Sequence, residues 1–271
     1  TFELLRLPLE DYPAVPQCPK EVLCTISRAE LLIALDLVAY AALQDKNASR
    51  LNLTCVYIEV GERLRLVATN GYRLALKDAP LLKPAPHPQK FLVPASILSD
   101  LNYVLGTLTG QDVEIAHGGQ DLFFKADDVI FVARTVEEEY PNYEMVIPKD
   151  SPITLHVNRE TFVEALTRVR ITAPEESGAV KLAAEGLQLR ISSQAADKGE
   201  AFEIIPLLQK AQPVKICFRA EYLLEPLRRL HSREVTLRLI DSESAGVLEP
   251  GGSEADHGFK YVIMPIRMED L

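Results

Sequence analysis

The sequence predicts an α+β fold of two tandem units, each with two helices packed on antiparallel sheets. Three observations carry this reading. An acidic Tyr-Pro junction is written twice, as Glu10-Asp11-Tyr12-Pro13-Ala14-Val15-Pro16 and as Glu138-Glu139-Tyr140-Pro141-Asn142-Tyr143-Glu144-Met145-Val146-Ile147-Pro148. Each copy leads into a short strand-like stretch and a polar helix start, Ser27-Arg28-Ala29-Glu30 in one unit and Asn158-Arg159-Glu160-Thr161 in the other. Elsewhere, apolar residues alternate with polar ones between short turns, the pattern of half-buried strands. A repeat that carries over helix caps and apolar phase reads as duplication.

In order along the first unit, Ser27 with Glu30 forms the sequence signature of a capping box. Leu31, Leu35, Val38 and Ala42 then recur at helical spacing and give that helix one apolar stripe. Strands follow around turns at Gly61-Glu62 and Asn70-Gly71. A second helix, from Ala95 to Leu105, starts at Phe91-Leu92-Val93-Pro94, and strands containing Val113 and Ile115 turn at His117-Gly118-Gly119. The second unit repeats the series. Asn158 starts its first helix, Leu187, Leu189 and Ile191 follow a turn at Glu185-Gly186, and Ile216-Cys217-Phe218-Arg219 leads into a helix over Ala220 to Leu230. Pro226 inside that helix should kink or shorten it. Val235, Leu237 and Leu239 mark a further strand. Short connections imply antiparallel meanders, with helices on one face and water on the other.

The 271 residues suit two domains, and 47% hydrophobic with 25% charged residues describes an ordinary globular protein. No apolar run is long enough to span a membrane, and no signal peptide is visible. Cys18, Cys24, Cys55 and Cys217 have no Cys-x-x-Cys spacing and read as reduced thiols of a cytosolic protein. The net charge of −10 argues against nucleic acid as a whole-molecule sum, although one basic face can exist on an acidic protein.

Catalytic spacing is missing from the sequence: there is no nucleophile elbow, His-Glu-x-x-His, phosphate loop or dinucleotide fingerprint. His87, His117, His156, His231 and His257 are isolated, without metal spacing. The expectation is a non-enzymatic protein without cofactor or metal. The alternative is a two-domain hydrolase whose site is assembled from distant residues.

Val67-Ala68-Thr69-Asn70-Gly71-Tyr72-Arg73-Leu74-Ala75 and Tyr261-Val262-Ile263-Met264-Pro265-Ile266-Arg267-Met268 resemble signature stretches of the bacterial DNA polymerase III β subunit, the β sliding clamp family. The junctions, Phe91-Leu92-Val93-Pro94 and Asp241-Ser242-Glu243-Ser244-Ala245-Gly246-Val247 resemble it too, so the similarity spans the chain. The resemblance implies tandem DNA-clamp domains: residues 1–20 as the remnant of a first domain with its linker, 21–148 as the middle domain and 149–271 as the C-terminal domain. It implies a processivity factor that tethers the replicative polymerase to duplex DNA, in the cytoplasm at the nucleoid. Its partners would be duplex DNA without sequence preference and, through short peptides, the DNA polymerase III catalytic subunit, the clamp loader, other polymerases and repair proteins. The intact protein would be a ring-shaped homodimer, and this chain monomeric.

Two sets of residues carry over. A groove for partner peptides would be built from Leu53, Thr69, Gly71, Tyr72, Arg73, Leu74, Pro141, Met145 and Val146, with Phe218, Ser244, Ala245, Val262, Ile263, Met264, Pro265, Ile266, Arg267 and Met268 from the second unit. The DNA-facing set would be Lys46, Arg50, Arg168, Arg170, Arg228, Arg229 and Arg233. Departures from the family pattern lie at Asn70, Tyr72, Ile266, Met268 and the Glu269-Asp270-Leu271 tail.

Overall fold

The structure, a computed structural model, describes residues 16–45, 49–252 and 255–267. The first Tyr-Pro junction up to Val15, Lys46 and Met268 therefore lie outside the described residues. The first unit runs β1 (Cys24–Ser27), α1 (Arg28–Val38), β2 (Cys55–Val60), β3 (Arg63–Thr69), β4 (Arg73–Pro80), β5 (Gln89–Pro94), α2 (Ala95–Thr107), β6 (Asp112–Gly118), β7 (Asp121–Ala126) and β8 (Val129–Arg134). The second runs β9 (Ile153–Asn158), α3 (Arg159–Val169), β10 (Ala179–Ala195), β11 (Gly199–Arg219), α4 (Ala220–Arg229), β12 (Glu234–Leu239), β13 (Gly246–Pro250) and β14 (Phe259–Ile263).

All pairings are antiparallel. One sheet has the order β1-β6-β7-β8, β10 pairs with β11, and an eight-stranded sheet has the order β5-β2-β3-β4-β14-β13-β12-β9. That last sheet crosses the unit boundary at β4 and β14, where Arg73 stands opposite Ile263, Ala75 opposite Tyr261 and Lys77 opposite Phe259. The backbones come close here. Gly258 has φ 79°, and a Cβ on it would lie 2.8 Å from the Asp78 carbonyl oxygen, so glycine is required at this point of the joint. The helices lay their apolar stripes, Leu31, Leu35 and Val38 of α1 and Phe162, Ala165 and Leu166 of α3 among them, into a core continuous through both units.

The duplication extends to individual hydrogen bonds. Arg28 donates from Nε to Gly110 O (2.6 Å) and from Nη1 to Leu105 O (3.0 Å), closing the end of α2. Arg159 donates in the same way to Ser232 O (2.7 Å) and Leu227 O (3.0 Å), closing the end of α4. Each arginine is the first residue of its unit's first helix and ties one carbonyl in the last turn of the second helix to one in the loop that follows it.

Several local expectations change. Asn158 caps α3 by accepting from Thr161 N at 3.0 Å, but the Ser27 side chain makes no cap bond on α1. Pro226 does sit inside α4, which ends at Arg229, and its ring is buried rather than kept to the first turn. Glu185-Gly186 falls within β10 as a register shift, with Gly186 at φ 60°. The β6–β7 turn lies at Gly119-Gln120, since His117 and Gly118 still pair with β7.

Candidate partner groove at the domain joint

Strand alternation sorts the residues of β4 onto two faces. Arg73, Ala75 and Lys77 point to the helices, while Leu74 and Leu76 point to the opposite face. There they join Val67 of β3, Val262 of β14 and Tyr143 in a small apolar cluster separate from the main core. The second Tyr-Pro junction lies over this cluster. Tyr140 stacks on Tyr57 with ring centroids 5.1 Å apart, and Tyr143 donates to Glu59 Oε2 at 3.0 Å and accepts from Arg65 at 3.2 Å. Around it, Tyr72, Met145, Val146 and Met264 are all exposed. Large apolar side chains gathered at the surface over a prepared cluster mark an interaction site.

The β3–β4 loop is held in shape locally. Thr69 Oγ1 donates to Arg73 O (2.6 Å) and accepts from Gly71 N (3.1 Å), and Asn70 Oδ1 accepts from Tyr72 N (3.0 Å) and Arg73 N (3.1 Å). Asn70 thus folds the turn with its own side chain, and Gly71 at φ 92° supplies the conformation others adopt poorly. The C-terminal segment bridges the site: Met264 N donates to Tyr72 O (2.9 Å) and Ile266 N to Cys217 O (2.8 Å). Met264, Pro265 and Ile266 therefore span from the β4 turn to β11.

The remaining expected groove residues divide. Pro141 and Arg267 are exposed, Ser244, Ala245, Pro265 and Ile266 half-buried, and Leu53, Thr69, Leu74 and Val262 buried, the last two within the apolar cluster. Ser244 is held by Asp241, whose carboxyl is kept below the usual carboxylate range by the N–H groups of Glu243 and Ser244 and by the Ser244 hydroxyl. Phe218 and Ile263 belong to the main core. Arg73 is different: its side chain, 6% exposed, leaves the groove and crosses the joint. It pairs with Glu225 of α4, donates to Tyr40 O (2.8 Å) and lies 4.6 Å from the Tyr222 ring, so only its backbone shapes the groove. Val67, Leu76, Tyr57, Tyr140 and Tyr143 were not anticipated. The alternation that places Leu74 outward also places Leu76 outward, so this part of the cluster was readable.

The helix face carries little free positive charge. The four helices hold five arginines (Arg28, Arg159, Arg168, Arg228, Arg229) against seven carboxylates (Glu30, Asp36, Asp100, Glu160, Glu164, Glu221, Glu225). Arg28 and Arg159 are the caps described above. Arg168 binds Glu203 through two bonds of 2.6 and 2.9 Å, Arg170 pairs with Glu221, and Arg228 lies 3.8 Å from Glu221. Arg229 lies 3.6 Å from Asp36 and over the Tyr40 ring, inside the joint. Arg50 and Arg233 are exposed, both outside the helices.

A hydrolytic arrangement does not form where Ser232, His231 and Asp256 meet. Ser232 Oγ donates to the fully buried Asp256 at 2.6 Å, and His231 Nδ1 faces the same carboxylate at 3.2 Å, so serine and histidine share an acceptor instead of pairing. Among the described residues no group of His, Cys, Asp and Glu could hold a metal ion, and no helix is long and apolar enough to cross a membrane.

Family models decide the relationship. The model of the DNA polymerase III β subunit central domain matches residues 25–142, and that of its C-terminal domain matches residues 144–267. The chain belongs to the DNA polymerase III β subunit family. It is 28% identical to the β sliding clamp of Caulobacter vibrioides over 271 residues, covering 98% of this chain and 72% of that protein. Identity to the Escherichia coli K12 β sliding clamp is also 28%, over 98% of this chain and 71% of the relative. Among solved structures, the Pseudomonas aeruginosa sliding clamp bound to griselimycin superposes with a TM-score of 0.88 at 26% identity, covering 97% of this chain and 70% of that one. The Bacillus subtilis sliding clamp gives 0.88 at 26% identity, covering 97% and 68%. Both β-subunit domain models thus meet at the Tyr-Pro junction that roofs the apolar cluster.

Proposed function

We propose that this chain acts as a sliding clamp, a non-catalytic subunit that tethers a DNA polymerase to DNA, and that its partners dock at the joint between the two units. The observation that carries the docking reading is the apolar cluster of Val67, Leu74, Leu76, Tyr143 and Val262, ringed by exposed Tyr72, Met145, Val146 and Met264. Leu, Val and Met form an adaptable slot, and two exposed methionines suit varied partners. The natural occupants would be short peptides bearing a glutamine and bulky apolar residues, from the polymerase catalytic subunit, the clamp loader, other polymerases and repair proteins. Duplex DNA would pass along the helix face, in the cytoplasm at the nucleoid, held through phosphates alone and weakly, because the arginines there are already matched by acids. The test follows the methionine methyl groups by NMR while such a peptide is added. Shifts at Met145 and Met264 support the reading, and an unchanged spectrum at saturating peptide contradicts it.

A further inference from the structure

The two units keep the same cations on one sheet face but not the acids that match them. Pro94 and Arg219 are each the last residue before their unit's second helix. Counted from them, the pairings of β2 with β5 and of β10 with β11 make Tyr57 equivalent to Lys181, Glu59 to Ala183 and Lys90 to Lys215. Arg65 lies between core residues Leu64 and Leu66, four residues after Gly61, and Arg190 lies between core residues Leu189 and Ile191, four residues after Gly186. Their cross-strand partners are Asp78 and Ile204.

In the first unit this face is matched and covered. Arg65 binds Asp78 through bonds of 2.6 and 2.9 Å, Lys90 lies 3.5 Å from Glu59, and Arg65 and Glu59 both bond Tyr143 of the junction segment. Glu144 of that segment lies 3.8 Å from Arg65. In the second unit Ala183 and Ile204 stand in place of Glu59 and Asp78, and Lys181 adds a cation in place of Tyr57. Lys181, Arg190 and Lys215 line one hollow of about 690 Å³, with Ser192 and Gln194 on its wall. Among the described residues none of the three has a carboxylate partner, and Arg190 lies 3.7 Å from the Phe202 ring instead. Glu200, the carboxylate on the same wall, is exposed and bonds none of them. Cations gathered in a concave site without acids attract an anion.

We propose that this hollow receives an acidic segment of a partner protein, whose carboxylates take the positions that Glu59 and Asp78 hold in the first unit. Arg190 grips one carboxylate in its fork, as Arg65 grips Asp78, and Lys181 and Lys215 meet others as point charges. The first unit shows that this face suits polypeptide, since it holds the junction segment through Tyr143 and Glu144. Glu200 on the wall and Glu185 in the adjoining hollow oppose a continuous polyanion such as DNA and leave room for a short acidic stretch. The hollow shares no residue with the apolar cluster at the joint, so the proposal is independent of what the groove binds.

The full 271-residue chain, titrated at low salt with a fluorescein-labelled peptide of alternating glutamate and serine, should show saturable binding. The same peptide with glutamine for glutamate should not bind. Ala183→Glu returns the first unit's acid beside Arg190 and Lys215, and Lys215→Glu reverses a charge at an exposed position. Each should weaken binding by about tenfold, with thermal unfolding unchanged and with the apolar, glutamine-bearing peptide still bound at the joint as in wild type. No saturation, equal binding of the glutamate and glutamine peptides, or full affinity in both variants overturns the proposal. Duplex DNA binding that falls in the same two variants also overturns it, marking the face as a phosphate contact. So do carbodiimide cross-links from Lys181 or Lys215 to Glu269 or Asp270 in the free chain, which would make the chain's own tail the occupant.

Discussion

The guanidinium of Arg73 and the carboxylate of Glu225, 152 residues apart in sequence, close an ion pair across the joint between the two units. Arg73 is buried and lies between the rings of Tyr222 and Tyr40, at 4.6 and 5.3 Å, while its neighbours Asn70 and Tyr72 build the rim of the groove. One residue thus fixes the joint with its side chain and the groove with its backbone.

Removing that side chain leaves Glu225 partly buried without its cation. Arg73→Ala should cost about 3 kcal/mol, and Glu225→Gln less, because the arginine keeps its bond to Tyr40 O. Denaturant unfolding of both variants and of the double variant measures the coupling. If the double variant is simply the sum of the two, the clasp is not a unit.

The two capping arginines should behave alike. Arg28→Ala and Arg159→Ala each remove two charge-assisted bonds, one to a carbonyl in the last turn of a helix and one to the loop after it, at a cost of about 2 kcal/mol each. Hydrogen exchange should speed up at the end of α2 in the first variant and of α4 in the second. Exchange that rises equally everywhere would contradict a local cap.

Asp78 sets an acid limb of stability. Burial pushes its carboxyl up, but Arg65, bonded at 2.6 and 2.9 Å, together with Arg63 outweighs this and holds it below the usual carboxylate range. A carboxyl with a depressed folded pKa stabilises fully above its unfolded value near ~4 and loses that contribution as pH falls through the lower folded value. The stability of Asp78→Asn should therefore be lower than that of wild type at neutral pH, by about 2 kcal/mol, and converge with it as the pH falls through the depressed folded value. A constant offset would refute the assignment.

The thiols should divide by burial. Burial pushes the Cys24 thiol up to about 12 and raises Cys55 and Cys217 as well, whereas Cys18 is half-buried. An aromatic disulfide reagent should titrate one thiol quickly and the other three only on unfolding. Two or more fast thiols would show that the strands carrying them open in the native state.

Much of this architecture was legible because it rests on local signals. Helical spacing located the four helices, and alternation located strands between them. What escaped was long-range. Arg28 and Arg159 stood in the aligned helix starts, yet their acceptors lie 77 to 82 and 68 to 73 residues away. The side-chain direction of Arg73 follows from strand parity and from Glu225 on another unit, neither of which the motif contains. The arginines of α3 and α4 read as free surface charge because Glu203 and Asp36, which neutralise two of them, come from other elements.

The paired arginines make a further expectation for DNA. Glu203→Gln with Glu164→Gln frees Arg168 and Glu221→Gln frees Arg170 and Arg228, so duplex binding should strengthen and its salt dependence steepen. Unchanged binding in both variants would place the DNA path elsewhere.

The central claim, that the apolar cluster at the joint receives partner peptides, is tested most directly by titrating a fluorescent peptide carrying a glutamine and bulky apolar residues. Binding should saturate, with Met264→Ala and Leu74→Ala each weakening it by about tenfold, roughly 1.4 kcal/mol, while Tyr103→Ala leaves it unchanged. Absence of saturation, or equal affinity in the Met264 and Leu74 variants, would contradict the groove.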